Sequence, residues 1–160
     1  CLSSGTGPYA IPVIFRRPVC YVNYVPLEYL QTYHKCSLAI WKHHEKDGKR
    51  MTLSEIYESG AGHFMRADEF EEAGITLVDN TPEEIRDVSV EMAHRLENNF
   101  GCKKQAAFWR DFPRSNSKYN NKPLHGEIRM RIGGQFLAQY YRKSPAENLD
   151  HLQQYEWGMR

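Results

Sequence analysis

Apolar residues in this chain gather into short runs separated by small-residue and charged stretches, and the spacing within each run predicts its element. Pro8–Arg17, with Ile11, Val13, Ile14 and Phe15, reads as a short apolar helix, and Pro18 opens the β-rich run Val19-Cys20-Tyr21-Val22. Cys1-Leu2 reads as the end of a strand that leads into the loop Ser3-Ser4-Gly5-Thr6-Gly7, so the front of the chain predicts a strand–loop–helix–strand unit. Asn23–Leu27 follows as a loop, Glu28–Tyr33 as a short helix and Ser37–Trp41 as a strand. His43–Arg50 is charged, with a turn at Asp47-Gly48. Thr52-Leu53-Ser54-Glu55 is a capping box whose helix stops at Gly60, Ala67–Ala73 is a short helix closed by Gly74, and Ile75–Val78 is a brief strand. A second capping box, Thr81-Pro82-Glu83-Glu84, opens the clearest helix: Ile85, Val88, Met92 and Leu96 share one face, with Glu83, Arg86, Glu91 and Arg95 mostly elsewhere.

Beyond it the pattern predicts a helix over 102–112, a polar loop over Arg114–Lys122, a helix over Glu127–Tyr141 carrying Ile128, Ile132, Phe136, Leu137 and Tyr140, and a tail. Alternating strands and helices imply an α/β fold with a mainly parallel sheet. The expected organisation is an α/β lobe over residues 1–112, incomplete at its N-terminus, followed by a polar loop and helical extension over 113–160. Ligand loops in such sheets lie at the carboxyl ends of strands, and the chain opens at Cys1 without Met, so we expect it to be the C-terminal part of a longer protein.

Composition narrows the classes. The 160 residues suffice for one domain with a core, and 41% hydrophobic with 26% charged residues is ordinary for a globular protein. A net charge of +1 lacks the basic excess of a general nucleic-acid binder, so no nucleic-acid partner is expected. No apolar run reaches the length of a membrane span. Cys1, Cys20, Cys36 and Cys102 have neither metal-ligand nor redox spacing, and reduced thiols in a cytoplasmic protein are the expectation.

The candidate chemistry starts at the Ser3–Gly7 loop. Backbone N–H groups at a helix start, two glycines that admit close approach, and Ser and Thr hydroxyls suit a phosphate or diphosphate. The same residues also suit a plain turn with an N-cap, and the loop is neither a P-loop nor a dinucleotide fingerprint. Arg16 and Arg17, at the far end of the first helix, suit its terminal carbonyls better than the loop. Asn23 follows a strand whose carboxyl end faces the same crevice, where it can contact ligand or satisfy a turn; Glu28 can accept hydrogen bonds from a ribose or sugar hydroxyl, or be an ordinary exposed Glu. His125 is the candidate acid or base, with helix capping and phosphate contact as its other readings and a structural role favoured over both. His43-His44 and the remaining histidines lack the spacing of a helical metal site, and no metal is assigned. Trp41, Trp109 and Trp157 read as packing or interface residues.

Taken together, Ser3-Ser4-Gly5, Ile11-Pro12-Val13-Ile14-Phe15-Arg16-Arg17-Pro18-Val19, Val22–Leu30, Ser59-Gly60, Asn80–Ile85, His125-Gly126 and Arg131-Ile132-Gly133 resemble a family of bacterial glycosyltransferases associated with surface-polysaccharide gene clusters. The likeness extends over most of residues 2–137 in order. It implies the two-lobed GT-B architecture, with this chain forming the Rossmann-like C-terminal lobe plus extra C-terminal helices. Ser3, Ser4, Gly5, Thr6 and Gly7, with Asn23 and Glu28, would then hold a nucleotide-sugar donor as substrate, with no further cofactor. The implied partners are that donor, a glycan or lipid-linked acceptor and a missing N-terminal lobe that supplies the catalytic base. This polypeptide alone is then expected to bind donor weakly and turn nothing over. A cytoplasmic location follows, with peripheral contact at the inner face of the membrane left open. The loop–helix unit also resembles sugar-nucleotide 2-epimerases, but the acidic pair that those enzymes carry in the first helix is missing here. A non-catalytic protein-interaction module is the reading from another class.

Overall fold

A computed structural model describes residues 1–31, 33–34, 37–97 and 130–140. The longest continuous apolar runs become its buried centre. Val19–Tyr24 (β2) and Ser37–Trp41 (β3) lie side by side and parallel, with Cys20 opposite Leu38, and both are buried almost throughout. Strands covered on both faces need apolar side chains at odd and even positions alike, which is why neither run alternates. Leu2–Ser3 (β1) pairs in parallel with the outer side of β2. The fold is therefore α/β, and the expected strand before the Ser-Gly loop is present, although Ser3 belongs to the strand.

The connection from β1 to β2 is a 3₁₀ turn, Gly7–Tyr9, running into the five-residue helix α1, Ala10–Ile14. Its end is closed by the main chain: Arg17 N–H donates to Pro12 O (2.7 Å) and Arg16 N–H to Val13 O (3.0 Å), with Arg16 in the left-handed region at φ 54°. The backbones of the two arginines therefore satisfy the carbonyls, and their side chains are exposed. From β2 to β3 the chain passes a cis Val25-Pro26 bond and a 3₁₀ turn, Leu27–Tyr29, where a helix over 28–33 was expected. Leu27 and Leu30, three positions apart, are both drawn into the core by the tighter turn.

A second sheet departs further from expectation. After the single residue Lys42, the chain continues as His43–Lys46 (β4), turns through Asp47 (φ 52°) and Gly48 (φ 68°), and returns as Lys49–Arg50 (β5). Two central residues with positive φ give the turn that fits a tight hairpin, so the charged stretch is paired structure. After helices Leu53–Glu58 (α2) and Ala67–Glu72 (α3), Ile75–Val78 (β6) pairs antiparallel on the other side of β4. The sheet expected to be mainly parallel is thus joined by a three-stranded antiparallel one, in the order β5-β4-β6.

The capping boxes hold. Thr52 and Glu55 exchange backbone and side-chain bonds at the start of α2, and Thr81 and Glu84 do the same ahead of Pro82–Glu97 (α4). Helix α4 packs on β2 and β3 through Val88, while Leu96 is 59% exposed and Arg95 is nearly buried, so the apolar face stops short of Leu96. The expected helix over 127–141 is corrected where it is described. Arg131–Ile132 (β7) is a strand parallel to β3, with Ala39 opposite Ile132, and the helix α5 spans only Gly134–Tyr140. A Cβ on Gly133 would lie 3.0 Å from Ile40 Cγ2 and 3.1 Å from Val88 Cγ2, so a side chain where the chain turns from strand to helix would press on both neighbours. The parallel sheet runs β1-β2-β3-β7.

Candidate functional site

The four parallel strands point their carboxyl ends the same way, and the predicted site residues follow two neighbouring ones. The loop after β1 is shaped by its own backbone. Gly5 has φ 84°, its N–H donates to Ser3 Oγ (3.2 Å), and a Cβ there would sit 2.7 Å from Cε2 of the Tyr24 ring. Gly5 is thus fixed by conformation and by packing on an aromatic of β2. Gly7 differs, since a Cβ on it meets nothing within 4 Å. Thr6 holds the cap position of the 3₁₀ turn without a side-chain capping bond. The N–H groups of Ser4, Thr6 and Gly7 make no hydrogen bond with the described residues.

At the end of β2, Asn23 sits at φ 51° in a bulge between Tyr21 and Tyr24. Its N–H donates to Asn80 Oδ1 (2.7 Å), Asn80 N–H donates back to Asn23 Oδ1 (2.5 Å), and Asn80 Nδ2 donates to Trp41 O (2.8 Å). Of the two readings of Asn23, this geometry realises the backbone-satisfying one, with Asn80 as a partner that local sequence does not reveal. The irregular strand needs such bonds because a bulge leaves ladder groups unpaired in a buried region.

Glu28 is buried at 7% exposure instead of standing at an exposed helix start. Its Oε2 lies 3.0 Å from Nε2 of His63, in the 3₁₀ turn Ala61–His63 that follows α2. A Cβ on Gly62 would come within 2.7 Å of Glu28 Oε1 and 3.1 Å of Tyr57 Cδ1, so the Gly-Ala-Gly-His stretch is the sequence trace of this contact. Burial pushes the Glu28 carboxyl up to about 7, because an ionised carboxylate loses its hydration there. Next to it, Tyr24 Oη donates to Tyr29 O (2.8 Å), tying the Leu27–Tyr29 turn to the ring beneath Gly5. Ser3–Gly7 and the Asn23–Glu28 segment are therefore brought to one end of the sheet. His125 lies outside the described residues.

A separate polar cluster stands at the end of β3. Both carboxylate oxygens of Glu84 approach His43 Nε2, at 2.9 and 3.0 Å, and the His43 ring stacks on Phe136 at 5.5 Å. Burial raises the Glu84 carboxyl, but hydrogen bonds from Tyr140, Thr81 and His43 hold it below the ordinary carboxylate range. Glu91 Oε2 accepts from Gly134 N–H (2.5 Å) while its Oε1 accepts from Arg95 Nε (2.8 Å). Glu84 and Glu91 thus grip the two ends of α5. His44, 1% exposed, donates through Nδ1 to Lys42 O (3.0 Å), and its Nε2 has no partner among the described residues.

Two small cavities of about 20 Å³ each, one between α4 and α5 and one beside His43, His44 and Arg50, are of water size and do not border the Ser3–Gly7 loop. Among the described residues no group of three or more His, Cys, Asp or Glu side chains is placed to hold a metal ion, and no helix is long and apolar enough to cross a membrane. Comparison of the chain with protein-family models, with curated proteins and with solved structures finds no match.

Proposed function

We propose that this chain is the donor-binding lobe of a glycosyltransferase that moves a sugar from a nucleotide-sugar to a glycan or lipid-linked acceptor. One observation carries the reading: among the described residues the N–H groups of Ser4, Thr6 and Gly7 have no hydrogen-bond partner, and they stand at the carboxyl end of one parallel strand, next to the carboxyl end of a second. Backbone donors in that position suit the diphosphate of a donor and the charge that grows on it as the sugar departs, since they are oriented before the reaction begins. Glu28, buried in the Leu27–Tyr29 turn with its Oε2 3.0 Å from His63 Nε2, is left out of the donor contact. The acceptor's proton goes to a base in a second lobe, which the two-lobed reading requires. Gly5 owes its identity to φ and to Tyr24, so substituting it does not test ligand contact; Gly7, with open space around it, does. The test is a ¹⁵N-NMR titration with inorganic pyrophosphate and with nucleoside diphosphates, in which the Ser4, Thr6 and Gly7 amides shift at sub-millimolar to millimolar ligand. Unmoved amides at 10 mM refute the proposal.

A second reading, a protein-interaction module, draws on the exposed apolar side chains of Ile11 (61%), Ile14 (74%) and Phe15 (69%), which share one face by helical spacing. Binding of a protein partner that is lost in Ile14→Asp, with the loop amides inert to pyrophosphate, selects this reading.

A further inference from the structure

We propose that the outward face of α1 docks on an anionic membrane, with Ile11, Ile14 and Phe15 entering the lipid and Arg16 and Arg17 held at its phosphates. The surface stands on its own observations. Only its consequence, carrying the Ser4–Gly7 loop to a lipid-linked acceptor, rests on the donor reading above.

Helical spacing gives α1 and its flanks two apolar sides. Tyr9 and Val13, four positions apart, are half-buried and pack on the core. Ile11, Ile14 and Phe15, at i, i+3 and i+4, form the opposite side and are 61%, 74% and 69% exposed. A surface helix ordinarily turns polar side chains outward, so one that is apolar on both sides meets a second apolar phase. A lone exposed isoleucine is unremarkable, whereas three large apolar side chains on one face within five residues make a patch.

Charge selects the phase. Residues 1–27 contain no Asp, Glu, Lys or His, and their two charged side chains, Arg16 and Arg17, directly follow Phe15. Both arginines are exposed, and neither side chain has a hydrogen bond or ion pair among the described residues. An apolar face bordered by cations alone matches the layering of an anionic bilayer, with acyl chains beneath phosphates. The long arginine stems let the guanidinium groups stay at that level while Phe15 sits deeper. A second copy is a poorer occupant, because pairing through so short a face brings both arginine pairs into one interface with no carboxylate to meet them. A protein partner is poorer by size: five residues stand against roughly 20–30 a side in a stable protein–protein interface. Lipid needs no complementary shape, and five side chains suit weak, reversible attachment.

The experiment sediments the chain with vesicles of phosphatidylcholine alone or with about 30% phosphatidylglycerol, at about 0.1 M salt. Binding to the anionic vesicles is expected to be about thirtyfold tighter, roughly fivefold for each arginine, and to weaken in about 0.5 M salt. Arg16→Gln with Arg17→Gln removes that preference, and Ile14→Asp abolishes binding to both vesicles. All three positions are exposed, and an unchanged thermal midpoint certifies the folded variants. Headgroup spin labels are expected to broaden the Ile14 and Phe15 amides. No binding at about 5 mM anionic lipid, equal binding to the two vesicle types, or binding that survives Ile14→Asp overturns the proposal. Lipid-free dimerisation that Ile14→Asp abolishes also overturns it and makes the face a contact between copies. A chain that ignores vesicles yet loses a protein partner in Ile14→Asp overturns it in favour of the protein contact. Pyrophosphate shifts of the Ser4, Thr6 and Gly7 amides are read without lipid, so failure of docking and failure of the donor seat are separate results.

Discussion

Replacing His44 by Leu removes a buried imidazole that is expected to make the protein acid-labile. His44 is 1% exposed, and burial, with a smaller push from His43 and against the Lys42 carbonyl bond, lowers its pKa from 6.5 to about 4. The folded chain therefore resists protonation that the unfolded chain accepts. The associated stability is fully present above pH 6.5 and drains away as the pH falls through 4. The shift corresponds to about 3 kcal/mol in all, most of which is gone by pH 4.5. At pH 7.5 the substitution loses the Lys42 bond, worth about 1 kcal/mol, and removes an Nε2 with no partner among the described residues, a cost of about 1–3 kcal/mol. Neutral-pH stability should thus stay within about 1 kcal/mol of the parent or rise. Urea unfolding followed by far-UV circular dichroism at pH 7.5 and 4.5 measures the difference directly, because carboxylates common to both proteins cancel. The parent should lose about 2–3 kcal/mol more than His44→Leu on acidification. Parallel losses, within about 0.5 kcal/mol, refute the assignment of acid lability to this ring.

Three further outcomes follow from the packing. Gly5→Ala should destabilise by about 1–2 kcal/mol, through a positive φ and a clash with Tyr24, whereas Gly7→Ala should leave the thermal midpoint unchanged and weaken pyrophosphate binding. Asn80→Ala, which removes both side-chain bonds bracing the β2 bulge and the Trp41 carbonyl, should cost about 2–4 kcal/mol by chemical unfolding; a loss below about 1 kcal/mol means that water replaces them. Glu91→Ala should release the Gly134 N–H, seen as at least tenfold faster hydrogen exchange there with Ser37–Trp41 amides unaltered, and leave the nearly buried Arg95 without its carboxylate.

Local chemistry was legible and long-range pairing was not. Thr52/Glu55 and Thr81/Glu84 announce helix starts because a cap is satisfied within four residues. The continuous runs at Val19–Val22 and Ser37–Trp41 announce buried parallel strands for the same reason of locality. Arg131-Ile132 could not be read this way, since Ile128, Ile132 and Phe136 are spaced like a helix face. What makes a strand there is β3, about ninety positions earlier in the chain. His43 and His44 stand in a charged stretch of the sequence, yet both side chains are buried, and the turn at Asp47-Gly48 is the available sign of paired strands. At the site, the Ser3–Gly7 loop follows from its small residues. The use of Asn23 as a brace and the burial of Glu28 depend on Asn80 and His63, partners that no spacing rule brings to mind.

The grip of α4 on α5 fixes a length as well as a position. Glu84 and Glu91 are seven positions apart and Gly134 and Tyr140 six, so two antiparallel spans of about 10 Å and about 9 Å face each other. One inserted residue in α5 would advance its far end by about 1.5 Å and swing it through about 100°, aiming either Tyr140 or Gly134 away from its carboxylate. The chain between Gly134 and Tyr140 behaves as a gauge cut to size: residues there can be exchanged, but not added or removed.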